Sequence, residues 1–157
     1  MTITLCAFLL AICFAKAQTH KDQNIITGKW QLIRLVAKDK FYFNAEKDSV
    51  WVGSSVFAQM PNMAGGQEDA LKSKMKQSFQ NRSLQFNFDG TYVATGERLP
   101  ESGTYTYNEA EKKVITKNTQ TQEQKSYHLR ANGELSRDKP TDGSVSATVD
   151  FKKVADN

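Results

Sequence analysis

Cysteine is nearly absent from this chain: of 157 residues only Cys6 and Cys13 carry a thiol, and both fall before Ala17. A chain cut after Ala17 has none, which removes disulfides, thiolate metal sites and cysteine nucleophiles together. Histidine is equally scarce. His20 lies in a polar N-terminal stretch and His128 stands alone, so a catalytic dyad or a histidine-rich metal site has no material. There is no HExxH, no GxSxG elbow and no phosphate-cradling GxxxxGK loop. Glu68 and Asp69 are adjacent acids, but at a helix start they suit the helix dipole better than acid and base roles. No catalytic residue, metal or cofactor is therefore expected, and the chain reads as a non-enzyme.

A basic tract is missing as well. The lysines are scattered, as in Lys112-Lys113 and Lys152-Lys153, and lack the stripe with interleaved aromatics of a nucleic-acid footprint. No nucleic-acid partner is expected. The apolar run over residues 3–15 is too short for a spanning helix. It is followed by Ala15-Lys16-Ala17, the small-x-small pattern that signal peptidase requires. Residues 1–17 read as a signal peptide and 18–24 as a flexible segment, with export to the periplasm or the exterior. Lipid attachment at Cys13 is the weaker alternative, because Ile12 is bulkier than the small residue normally found before a lipidated cysteine. Lys16 is the leader's one charged side chain, so its loss takes 21 basic residues to 20 against 17 acidic ones, a mild +3.

What the chain does have is alternation. Leu84, Phe86 and Phe88 share one parity, Asp89-Gly90 reverses the direction, and Thr91 to Gly96 runs back. Asp-Gly between alternating runs is among the strongest hairpin signals, and period-two alternation fixes side chains to opposite faces. Strands are likewise expected from Gly28 to Val36, over 41–43 and 49–56, and then over 103–108, 113–119, 124–129 and 145–154. The stretch between Asn132-Gly133 and Asp142-Gly143, which contains Pro140, reads as an exposed loop. One segment breaks the β rhythm: Leu71, Met75 and Phe79 recur at helical spacing, which predicts a helix over 67–81. Eight to ten short antiparallel strands without βαβ alternation give an all-β chain. A sequential meander favours an up-and-down barrel, whose closure removes exposed edges. Residues 25–157 form its single domain.

Gly28-x-Trp30 in the first strand, then FNFDGTY, SGTYTYN and KKVIT in order, resemble the lipocalin-like small secreted proteins of Bacteroidetes. The resemblance covers most of residues 25–154. It implies a barrel with Trp30 as an aromatic plug at its base. The chain departs from lipocalins in lacking their Thr-Asp-Tyr motif and in placing its helix mid-chain.

Two functions fit. One is a non-catalytic binding protein holding a small hydrophobic or amphipathic ligand, with Trp30, Leu71, Met75, Phe86 and Phe88 as cavity-lining candidates. The other is an envelope interaction module with a filled core that docks a protein or glycan partner. Met60, Met63 and Met75 cluster beside Pro61 and Gly65-Gly66. Methionine adapts to varied apolar shapes, so this insert reads either as a lid hinged at the glycines or as permanent packing.

Overall fold

Asp89-Gly90 turns the chain as its composition requires. Gly90 takes φ 82°, a left-handed value that glycine adopts without strain. The Asp89 carboxylate accepts from the Thr91 N–H at 2.9 Å and the Thr91 hydroxyl at 2.6 Å. Around this turn Phe86 pairs with Tyr92 and Leu84 with Ala94. The structure, a computed structural model, describes residues 25–59, 67–96, 100–139 and 147–155. The leader at 1–17, the segment at 18–24, Met60, Pro61, Met63, Gly65-Gly66, Pro140 and Asp142-Gly143 lie outside the described residues.

The elements in chain order are β1 (Gly28–Ala37), β2 (Phe41–Asn44), β3 (Ser49–Val52), the short helix α1 (Ser54–Ala58) and the longer helix α2 (Gln67–Gln80). They continue with β4 (Ser83–Phe86), β5 (Thr91–Thr95), β6 (Glu101–Asn108), β7 (Lys113–Asn118), β8 (Gln124–Leu129), β9 (Glu134–Lys139) and β10 (Ala147–Lys153). From β4 to β10 each strand pairs antiparallel with the next, and β1 pairs with both β4 and β10. That makes a closed barrel of eight strands, with β2 and β3 as an added hairpin. The all-β barrel and its inserted helix agree with the expected architecture.

Two local readings are corrected. Residues 134–139 form β9, not a loop, and residues 54–58 are helical, not the end of a strand. β9 escaped the alternation rule because only Leu135 is a buried apolar residue there; Arg137 also faces the interior. The third strand ends at Val52; the Gly53 N–H still reaches the Lys40 carbonyl at 2.7 Å, in register with the hairpin, and Gly53 then caps the start of α1.

The joint between barrel and hairpin lies in β1. Its residues 28–31 pair with β4, whereas 34–37 pair with β2 on the same edge. At the change of partner the Leu32 N–H donates to the Arg82 carbonyl at 3.0 Å, and the Ala45 N–H donates to the Ile33 carbonyl at 2.8 Å. The opposite ladder, to β10, shifts register between Leu32 and Arg34. Ile33 is thus the extra residue of a β-bulge, which kinks a strand and changes which side chains face in. Trp30 and Leu32 point inward before it, Leu35 and Ala37 after it.

The base of the barrel is solid. Trp30, Phe86, Tyr92 and Tyr105 are each at most 3% exposed. The Phe86 and Tyr105 rings meet edge-on at 4.8 Å, a favoured aromatic geometry. The Trp30 indole N–H donates to the Ile26 carbonyl at 2.7 Å, so the residues preceding β1 close this end. Gly103 makes room for Tyr92: a Cβ there would lie 2.9 Å from the ring and collide with the Lys117 carbonyl.

The outer wall has a covered charge. Asp150 is fully buried although its strand alternation places it outside. The Arg34 Nε–H donates to it at 2.6 Å from the adjacent strand, and Arg130 approaches its other oxygen at 3.5 Å. The bond to Asp150 raises the Arg34 guanidinium above its ordinary value.

Candidate functional site

Above the aromatic base the interior opens. A cavity of about 470 Å³ occupies the other end of the barrel. It exists because inward positions there carry small residues: Ala37 on β1, Ala94 on β5 and Ala147 on β10. Leu35, Leu84, Val149 and Phe151 supply the rest of the apolar wall. On the hairpin side, where β1 leaves β4, the wall is completed by Phe41 and by Phe79 from α2. Phe79 is 6% exposed, with its ring 5.4 Å from Phe43 and 6.4 Å from Phe41. The helix end is fastened as well: the Gln31 amide donates to the Gln80 carbonyl and, at 3.0 Å, to the Arg82 carbonyl. Of the α2 stripe Phe79 is therefore wall, and the permanent-packing reading fits the C-terminal half of the helix.

None of the five residues expected to line a cavity borders this one, whereas Phe86 and Phe88 border a second cleft outside the base. Trp30 and Phe86 fill the base. Met75 is half-buried and packs against the core from the helix, and Leu71 is half-buried one turn earlier. Phe88 is 64% exposed, contrary to its strand parity. The reason is that β4 ends at Phe86, and residues 87–90 form the reversal, with the Asn87 amide donating to the Thr91 hydroxyl at 2.9 Å. Phe88 instead borders a more open cleft outside the base, with Thr27, Gly28 and Lys153. The signal for the real cavity was the run of small residues at inward parity, which alternation treats as unremarkable.

Polar groups gather on one side of the cavity. Lys125 Nζ donates to both Glu101 carboxylate oxygens, at 2.6 and 2.5 Å. Both side chains are largely covered, at 10% and 22% exposure. The Arg137 guanidinium lies 5.8 Å from the Tyr127 ring centroid, within cation–π range. Its carboxylate neighbour, Glu123, is 4.0 Å away and half-exposed. Arg82 stands 5.0 Å over the Phe79 ring. Below them the Tyr92 phenol is raised by burial, then by the charge of Glu101, against an opposing hydrogen bond from Thr116.

Burial pushes the Tyr127 phenol up to about 12, with Arg137 opposing the shift. The folded protein thus holds this proton more tightly than the unfolded chain, whose phenol titrates near its ordinary value of 10. The associated stability is complete below pH 10 and is lost as pH rises toward 12. A shift of this size corresponds to about 3 kcal/mol. Urea denaturation at stepped alkaline pH should show that loss in the wild type. Tyr127→Phe should show a shallower decline, and an unchanged slope would remove Tyr127 as its source.

No protein-family model matches the chain, and no curated protein matches it. Among solved structures, a DUF4847 family protein from Bacteroides vulgatus is similar to it with a TM-score of 0.48 and 14% identity, over 83% of this chain and 95% of that one.

Proposed function

We propose that the chain is an exported, non-catalytic binding protein that holds one small apolar or amphipathic molecule in the mouth of its barrel. The observation that carries this is the division of the interior: aromatic packing at the base and a cavity of about 470 Å³ at the mouth. That volume lies within the usual range for small-molecule sites, roughly 300–1,000 Å³. An interaction module with a filled core would not need small residues at three inward mouth positions. Export through residues 1–17 and kinship with the lipocalin-like secreted proteins of Bacteroidetes belong to the same proposal.

An uncharged solvatochromic dye, Nile red, tests it. Saturable fluorescence enhancement is expected with the wild type. Ala147→Phe places a ring in the cavity and should weaken uptake about tenfold, a loss of about 1.4 kcal/mol, while circular dichroism still reports a folded barrel. No saturable uptake by the wild type would defeat the proposal, as would equal uptake by a folded Ala147→Phe variant.

A further inference from the structure

The charges around the cavity point to the chemistry of its occupant, an inference that rests on the binding role proposed above. Among the described residues the lining contains Lys40, Arg82, Lys125 and Arg137 but a single carboxylate, Glu101. Glu101 is already engaged by Lys125 through both oxygens. Among the described residues no ion pair joins Glu101 to Arg137. Among the described residues the acid nearest Arg137 is Glu123, at 4.0 Å and half-exposed, whereas the Arg137 side chain is only 16% exposed. A charge held under cover gains most from a partner that is also shielded from water.

We propose that the cavity takes a single-chain amphiphile with a carboxylate head, the head paired with Arg137 and the chain lying against the apolar wall. A guanidinium offers two parallel N–H donors that match the two oxygens of a carboxylate. Tyr127 gives Arg137 a flat surface to rest on, which limits its freedom before the ligand arrives. Apolar wall is within reach: Arg137 is register partner of Val149, and Ala147 lies two residues before Val149 on the same face of β10. A cationic or neutral head would leave Arg137 with the Tyr127 ring and phenol but no shielded counter-charge.

Displacement of Nile red by dodecanoate and by dodecanol tests the head group at constant chain length. The wild type should prefer dodecanoate by about tenfold or more. Arg137→Met and Arg137→Gln should each abolish the preference, and Arg137→Lys should restore part of it. Circular dichroism and a cooperative urea transition serve as the folding control for each variant. Equal displacement by the two ligands in the wild type overturns the carboxylate proposal and leaves the binding role intact. A preference that survives in folded Arg137→Met and Arg137→Gln overturns the assignment to Arg137. Failure of Nile red and both amphiphiles to bind removes the binding role and this inference together.

Discussion

Trp30→Ala is expected to lower the unfolding free energy by about 3–5 kcal/mol, the range for truncating a large buried aromatic. Three losses combine. The indole is 2% exposed, so its full apolar surface is given up. It belongs to the base cluster with Ile26 and Phe86, and the pairing of Phe86 with Gly28 and Tyr92 on either side keeps that ring from collapsing into the gap. The Ile26 carbonyl also loses its donor at 2.7 Å, and an unsatisfied buried acceptor costs about 1–3 kcal/mol. Equilibrium urea unfolding reads the total, and the melting temperature should fall by about 10 °C or more. Trp30→Phe keeps a ring and should cost clearly less. A loss below about 1.5 kcal/mol for the alanine variant would mean that the base is not the packed plug described above.

The second large effect concerns Asp150 and is asymmetric. Arg34→Met should cost about 3 kcal/mol, because it strands a carboxylate that is 0% exposed and, among the described residues, has only Arg130 as a second cation, at 3.5 Å. Asp150→Leu should cost less, since the Arg34 side chain is 37% exposed and can reach water, with Glu134 3.7 Å away. The double variant should recover much of the loss, because replacing a covered ion pair by apolar groups is often close to neutral. A double-mutant cycle on the urea midpoints separates these terms. If Asp150→Leu proved as damaging as Arg34→Met, the stranded carboxylate would not be the cause.

Much of the architecture can be read from local chemistry. Asp89-Gly90 specifies its turn within four residues, Trp30 marks the base, and Leu71, Met75 and Phe79 mark a helix that runs over Gln67–Gln80. Features that depend on distant partners are not visible in this way. Asp150 looks solvated until β1 is laid beside β10 and Arg34 covers it. Ile33 looks like one more strand residue in QLIRLV, and only the change of partner from β4 to β2 makes it a bulge. The cavity was the least legible part, because aromatic side chains draw attention while the space is made by alanines. β9 was missed for a related reason: Arg137 interrupts apolar alternation, and the same residue lies at the cavity.

The division between base and mouth has an evolutionary side. β1 supplies Trp30 at one end and Ala37 at the other, and β5 likewise supplies Tyr92 and Ala94. Residues that hold the barrel together and residues that shape its vacant end are thus separate positions on the same strands. Exchange at Ala37, Ala94 or Ala147 can change the size and contour of the vacancy while Trp30, Phe86 and Tyr105 keep the chain folded. A lineage carrying this barrel can therefore vary the shape of its mouth without first acquiring spare stability at the base.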